Sequence, residues 1–278
     1  MVVKSYSKIN LALKVNSKHK NGLHEIQTLY CLINLSDKIR IKKIQQNKDI
    51  ISFKGPFAKL VQIRNNSVYK LLKKLRELNL ISSYFSISIT KNIPVFSGLG
   101  GGSSNAAFVL KSLLRKRINN SLLNKCEKLI GSDFKLFFKK QAFLKNLKTI
   151  DELNLKRKFY FVLIQPKFKC STKEIYSNVK KFSKKEQFDK NLIKSRNNFL
   201  QYLSKSRNDL QFVVERKYPL IKKILTDIKN EKGCTFSRMT GSGSVCYGLF
   251  NDKIVAKKAL NKLKKKYPKF WFSLAKTV

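Results

Sequence analysis

Residues 94–110 read Pro94-Val-Phe-Ser-Gly-Leu-Gly-Gly-Gly-Ser-Ser-Asn-Ala-Ala-Phe-Val-Leu110, and they hold four of the chain's eleven glycines, Gly98, Gly100, Gly101 and Gly102. Just before them "YFSISIT" (84–90) alternates polar and apolar residues, the mark of a strand. Just after them "NAAFVLKSLLRKRI" (105–118) has good helix formers, so a helix is predicted from residue 105. A glycine-rich turn between strand and helix is suited to phosphate. Glycine admits positive φ and lets backbone approach a ligand with no Cβ in the way. The helix start adds unpaired amides and the positive end of the helix dipole. Ser103 and Ser104 fall where a hydroxyl can cap the helix, bond a phosphate oxygen or hold a metal-bound water. A tight turn with a helix cap is the plainer reading, but it requires fewer glycines. No lysine follows Gly102, which excludes a P-loop, and the spacing is not GxGxxG.

The remaining sequence bounds the class of protein. The 278 residues include 42% hydrophobic residues and 20 Phe, enough for a sizeable core and unlike a disordered chain. No run approaches the roughly 20 apolar residues of a membrane span. The first eight residues lack the apolar stretch of a signal peptide, so a cytoplasmic protein is expected. Cysteines 31, 126, 170, 234 and 246 form no CxxC pair, and the two histidines are His19 and His24. They read as reduced core thiols, and no protein-held metal site is expected. Lysine and arginine number 60 against 16 acids, a net charge of +44. This excess fits a polyanionic partner such as RNA, or a field that steers small anions. It also fits coding bias, since the lysines are spread along the whole chain beside abundant Ile and Asn.

Strands are predicted through residues 1–45, where "KINLALKV" alternates, over 158–166, in 238–250 after a loop, and at the C-terminus. Helices are predicted over 66–80, 121–130, 132–140, 172–183, 188–204, 208–214, 218–231 and 252–267. Strands and helices mix in both halves, so the class is α+β. The polar segment "KNLKTIDELNLKR" (145–157) sets an expected boundary, with domains 1–150 and 151–278.

The loop resembles the ATP-binding loop of the GHMP kinases, a family that includes galactokinase, homoserine kinase and mevalonate kinase. "SKINLALKV" (7–15), "NGLHEIQTL" (21–29), "IGSDFKLFF" (130–138), "CSTKEIY" (170–176), "NDLQFVV" (208–214) and "MTGSGSVCYGLF" (239–250) resemble further family segments in order, covering nearly the whole chain. The resemblance implies a two-domain GHMP kinase fold, its N-terminal domain like domain 2 of ribosomal protein S5 and its C-terminal domain ferredoxin-like. It implies ATP with Mg2+ and transfer of a phosphoryl group to an alcohol. The GLGGGSS form points to the branch acting on a cytidine diphosphate alcohol in isoprenoid precursor synthesis. Another small-molecule kinase of the family and a basic nucleic-acid-binding protein are the alternatives. No dedicated nucleic-acid partner and no membrane are expected, and the protein is expected as a monomer or weak homodimer.

Site residues follow from the same match. Pro94, Val95, Phe96, Ser97, Gly98, Leu99, Gly100, Gly101, Gly102, Ser103 and Ser104 would bind ATP, with Asn66 near the adenine. Asp133 matches the catalytic aspartate, in a setting partly withdrawn from water that favours proton acceptance. Lys8 matches the catalytic lysine, which would hold Asp133 ionised and balance charge developing on the substrate oxygen. Asn10, His24, Thr172 and Tyr176 match the cytidine side, where imidazole can read a base edge and an aromatic can stack. Gly241, Ser242 and Gly243 match a glycine loop that closes the site. Plainer readings exist: Asp133 and Asn66 as helix caps, His24 as a packed loop residue, and residues 241–243 as a strand turn. Three departures stand out: Leu23 where the family has Tyr, Lys135 where it has Pro, and no glycine in "KNLKTID".

Overall fold

A computed structural model describes residues 1–20, 22–63, 65–153 and 158–278. The chain packs as two compact units. One comprises 1–7, 35–95 and 100–139, the other 8–34, 96–99 and 140–278. The first two strands, β1 (Val2–Lys18) and β2 (His24–Ile44), pair with each other and give residues to both units. In β1 the alternation buries Ile9, Leu11, Leu13 and Val15 on one face. The other face is buried too, and it carries Lys8 and Asn10.

In the first unit β3 (Ile50–Lys54) runs parallel to β4 (Tyr84–Thr90), and β4 pairs antiparallel with Lys38–Ile44 of β2. Parallel neighbours need a crossover, and α1 (Ser67–Glu77) supplies it. Asn66 caps α1 by accepting from the Val68 and Tyr69 amides, both at 2.9 Å. Val68, Leu71, Leu72 and Leu75 form the buried stripe of α1. Next come α2 (Gly101–Leu114) and α3 (Asn120–Ile130). Helix α2 begins four residues before the predicted start, because Gly101, Gly102, Ser103 and Ser104 form its first turn rather than a loop ahead of it. The predicted helix over 132–140 is a 3-10 turn, Phe134–Phe138. Its Phe134, Leu136 and Phe137 are all buried, so no amphipathic α-helical face is present.

In the second unit β5 (Gln141–Leu144) pairs with Thr28–Cys31 of β2 and with β6 (Ile150–Glu152). The end of the polar boundary segment, 154–157, lies outside the described residues, as does Asn21. Then follow β7 (Tyr160–Gln165), α4 (Thr172–Ser177), α5 (Arg196–Lys205), α6 (Asp209–Lys217), α7 (Pro219–Lys229), β8 (Cys234–Met239), β9 (Cys246–Phe250), α8 (Lys253–Lys266) and β10 (Trp271–Lys276). The antiparallel sheet has the order β10-β7-β9-β8. Counted from β7 this is 4-1-3-2, with helices after the first and third strands, the ferredoxin-like arrangement. Helix α7 lies close over this sheet: a Cβ on Gly248 would come within 2.4 Å of Ile228.

The helix predicted over 172–183 ends at Ser177, because the chain beyond it bonds to β1 instead: the Ser183 amide donates to the Val15 carbonyl at 2.8 Å. The single helix predicted over 188–204 is split by two caps, Asp189 before a 3-10 turn at Lys190–Ile193 and Ser195 before α5. Strands β3, β5, β6 and β8 had not been predicted. Among the described residues no helix is long and apolar enough to cross a membrane.

Candidate active site

The glycine stretch has two structural parts. In the second unit, Phe96–Leu99 is bound backbone to backbone to the turn between β8 and β9. The Ser244 and Val245 amides donate to the carbonyls of Phe96 and Ser97, at 3.3 and 3.2 Å. The Lys8 amide donates to the Leu99 carbonyl at 3.1 Å. Gly98 has φ +75°, and a Cβ there would lie 2.0 Å from the Thr240 carbonyl oxygen. On the facing side, a Cβ on Gly241 would lie 3.0 Å from the Gly98 oxygen and 3.3 Å from Lys8 Nζ. Only glycine permits this approach. Phe96 is half-exposed, with the Lys169 ammonium 5.2 Å from its ring centre, and Ser97 is buried, accepting from the Leu99 amide at 3.3 Å.

In the first unit, buried Pro94 and then Val95 lead out from β4. Gly100, at φ +71°, turns the chain into α2. By helix geometry the amides of Gly101, Gly102 and Ser103 have no intrahelical acceptor, whereas the Ser104 amide donates to the Gly100 carbonyl at 2.9 Å. The Ser104 hydroxyl is turned towards β1, bonding Ser5 Oγ at 2.6 Å and donating to the Tyr6 carbonyl at 2.5 Å. Asp133 stands at the mouth of this helix, its Oδ2 3.3 Å from the place a Cβ on Gly100 would occupy. The start of α1 is close as well, since Ser67 Oγ is 3.3 Å from the Cβ position of Gly102. Asn66 spends its side chain on capping, and its Nδ2 donates to the Ile63 carbonyl at 2.6 Å.

Sequence reasoning missed two supports of this mouth. Asp37, wholly buried, accepts from Lys91 Nζ at 2.5 Å and from the amides of Asn92 and Ile93 at 2.7 and 2.8 Å. Lys91 Nζ in turn lies 3.1 Å from the Cβ position of Gly101, behind the first turn of α2. The only sequence signal was a rare acid inside a predicted strand, "LSDKIRI". Lys111 of α2 donates to the Phe137 carbonyl at 2.6 Å and so ties down the 3-10 turn that follows Asp133. Burial, with help from Lys139, pulls its ammonium down to about 8. Lys135, one of the departures, forms an ion pair with Glu127 at 2.6 Å.

Lys8 is buried on β1 in the second unit and donates to Asn10 Oδ1. Asn10 is itself fixed. Its Nδ2 donates to Thr28 Oγ1 at 2.8 Å, its amide to Thr240 Oγ1 at 3.1 Å, and its carbonyl accepts from the Tyr247 hydroxyl at 2.9 Å. Thr172 and Ser242 share a hydroxyl bond of 2.8 Å, which brings the start of α4 to the second glycine turn. His24 packs against Tyr176, ring centres 5.1 Å apart. Its Nε2 is buried and has no hydrogen-bond partner among the described residues. Burial, then the charges of Lys18 and His19, hold the imidazole below its ordinary value, which favours the neutral ring. The five cysteines are free thiols, and burial raises every one of them. Among the described residues no three His, Cys, Asp or Glu side chains converge as a metal site.

Comparison with known proteins agrees with this picture. Residues 66–130 match the GHMP kinases N terminal domain, and residues 186–269 match GHMP kinases C terminal. A 4-diphosphocytidyl-2-C-methyl-D-erythritol kinase of Pelagibacter ubique (strain HTCC1062) is 38% identical, over 99% of this chain and 98% of its own. The enzyme of that name from Wolbachia pipientis wMel is 31% identical, over 97% and 96%. Among solved structures, a 4-(cytidine 5'-diphospho)-2C-methyl-D-erythritol kinase has a similar fold, with a TM-score of 0.75 at 23% identity over 99% of both chains. Homoserine kinase from Cytophaga hutchinsonii has a TM-score of 0.70 at 16% identity, over 98% of this chain and 94% of its own. An α+β chain with a glycine-opened helix and both GHMP domains is a kinase of the two-domain GHMP fold. Within that class, the chain belongs to the 4-diphosphocytidyl-2-C-methyl-D-erythritol kinase family.

Proposed function

We propose that this protein transfers the γ-phosphoryl group of Mg-ATP to the 2-hydroxyl of 4-diphosphocytidyl-2-C-methyl-D-erythritol, a step of non-mevalonate isoprenoid precursor biosynthesis. The observation that supports it most directly is the carboxylate of Asp133 beside Gly100, at the phosphate-binding end of α2. The free amides of Gly101, Gly102 and Ser103 take phosphate oxygens. Residues 94–99 lead the chain into that turn, Ser104 holds it against β1, and Asn66 borders the adenine. Mg2+ fits this donor set only as a partner of the nucleotide. With no cluster of three ligating side chains among the described residues, it would be held by the triphosphate, water and the Ser103 hydroxyl. When bound, it neutralises charge on the transferring group.

The attacking 2-hydroxyl oxygen bonds to the γ-phosphorus while the bond to the β–γ bridging oxygen breaks and ADP departs. Asp133 orients that hydroxyl and accepts its proton. Lys8, held by Asn10, balances the negative charge that builds in the transition state. His24, Tyr176 and Thr172 hold the cytidine end, and Gly241, Ser242 and Gly243 back the loop. Residues 1–150 and 151–278 then serve as the N- and C-terminal kinase domains of a cytoplasmic enzyme.

A substrate panel tests the reading. Purified protein with Mg-ATP is offered the cytidyl alcohol, homoserine or mevalonate, and the product is examined by 31P NMR. Phosphorylation of the cytidyl alcohol alone, at the 2-oxygen, is expected. Turnover of another alcohol instead would contradict the substrate assignment.

A further inference from the structure

Helix α2 carries one charged residue, Lys111, in an otherwise uncharged run from Gly101 to Leu114. A helical lysine ordinarily extends its ammonium into water. This one is half-buried and turned onto the segment that bears Asp133. Besides its bond to the Phe137 carbonyl, its ammonium lies 4.9 Å from the centre of the Phe138 ring and 4.8 Å from that of Phe108. Among the described residues its partners are thus a carbonyl and two ring faces rather than a carboxylate. Each ring belongs to a further pair. Phe138 meets Phe134 edge-on at 5.5 Å, and Phe108 meets Tyr6 of β1 edge-on at 5.8 Å. One ammonium therefore joins an aromatic pair of the 3-10 turn to one shared by α2 and β1.

The turn held in this way carries the reacting end of the site. Asp133 opens it, and the Asp133 carbonyl accepts from the Leu136 amide at 3.1 Å. The Phe137 ring reaches back to Gly100: its Cζ is 2.8 Å from the place a Cβ there would occupy, beside Asp133 Oδ2. The residue whose carbonyl Lys111 holds therefore also sets a ring against the helix start. Lys111 itself stands about 15 Å of helix rise from Gly101, so it acts through the turn and not on the reactants. A slide of the turn along α2 would carry the carboxylate away from the phosphate end. A misplacement of about 1 Å costs about 10²-fold in rate.

We propose that Lys111 is a positioning residue for phosphoryl transfer, the anchor that seats the 3-10 turn on α2 and so fixes Asp133 at the mouth of the helix. This rests on the role given to Asp133 above, and the test separates the two. Lys111→Met, which keeps the apolar stem, and Lys111→Arg, which keeps the charge and the donors, are compared with the unaltered protein. Steady-state rates with ATP and the cytidyl alcohol are normalised to ATP-binding sites counted by calorimetry. Hydrogen exchange is followed by mass spectrometry across residues 131–139. Lys111→Met is expected to lower kcat roughly tenfold to a hundredfold, with both KM values kept within about twofold. It should also speed exchange in 131–139 roughly tenfold. Lys111→Arg restores the rate and the protection. An unaltered kcat per site in Lys111→Met would overturn the proposal. So would a fall in kcat with unchanged exchange in 131–139, or one matched by equal rises in both KM values. If the unaltered protein does not turn over the alcohol, the substrate reading fails by itself. Faster exchange in Lys111→Met that Arg reverses would then still uphold the anchor, and unchanged exchange would overturn it.

Discussion

His24 shows how burial sets a sign. Its imidazole is held below the ordinary value of 6.5, so the folded protein keeps it neutral through the physiological range and protonates it only on further acidification. A neutral Nε2 suits the base contact proposed for it. KM for the cytidyl alcohol is therefore expected to be flat from about pH 6.5 to 8 and to rise below that range. His24→Ala should raise KM roughly tenfold, the worth of one neutral hydrogen bond, and remove the acid limb. A KM that falls on acidification would show that the cationic ring is the binding form. The same shift acts on stability. Below pH 6.5 the unfolded chain takes up the proton first, so this residue's contribution is present above that pH and lost as pH falls. Sequence could pick out His24 as one of only two histidines in a recognisable segment. Its orphaned nitrogen could not be read there, because the Tyr176 ring that packs against the imidazole comes from a distant segment.

The glycine stretch was the most legible element, since its glycines between a predicted strand and a predicted helix pointed to a phosphate turn. What it did not reveal is that its glycines serve different ends. Gly98 has positive φ and a backbone oxygen in the way of any Cβ, while Gly102 has ordinary φ and meets only Ser67 Oγ at 3.3 Å. Gly98→Ala is expected to lower stability by about 2 kcal/mol or more, read as a fall in the denaturant midpoint. Gly102→Ala should leave that midpoint unchanged or slightly higher, because alanine favours helix, yet raise KM for ATP by crowding the free amides. Equal stability losses in both variants would mean that the stretch is a turn and nothing more. The helix start misread at residue 105 has the same origin: glycine has poor helix propensity, but positions 101 and 102 sit at an N-terminus, where tertiary packing decides. Strands β3, β5 and β6 escaped notice because they are short; β3 and β5 pair with distant segments of β4 and β2, and β6 pairs with β5.

For the whole molecule the charge of +44 has a physical consequence whatever its origin. Self-repulsion weakens the compact state, and salt screens it as the Debye length falls from about 30 Å at 0.01 M to about 8 Å at 0.15 M. The melting temperature is expected to rise across that range by roughly 3 °C, the equivalent of about 1 kcal/mol. KM for ATP should rise with it as the field that gathers anions is screened. A melting temperature that falls with salt would show that favourable ion pairs outweigh the repulsion. Strand and helix patterns in both halves gave the α+β class, and ordered motifs gave the family. The partition of β1 and β2 between two compact units was not legible, since nothing in an alternating strand marks where its partners change.

The central claim is phosphoryl transfer to the cytidyl alcohol with Asp133 and Lys8 as its chemical groups. The most direct measurement is ADP release from Mg-ATP, with and without that alcohol, by the unaltered protein, Lys8→Ala and Asp133→Ala. Alcohol-dependent release that drops by about 10² or more in each variant, with ATP binding retained, is predicted. Release that is independent of the alcohol, or that survives both substitutions, would contradict the account.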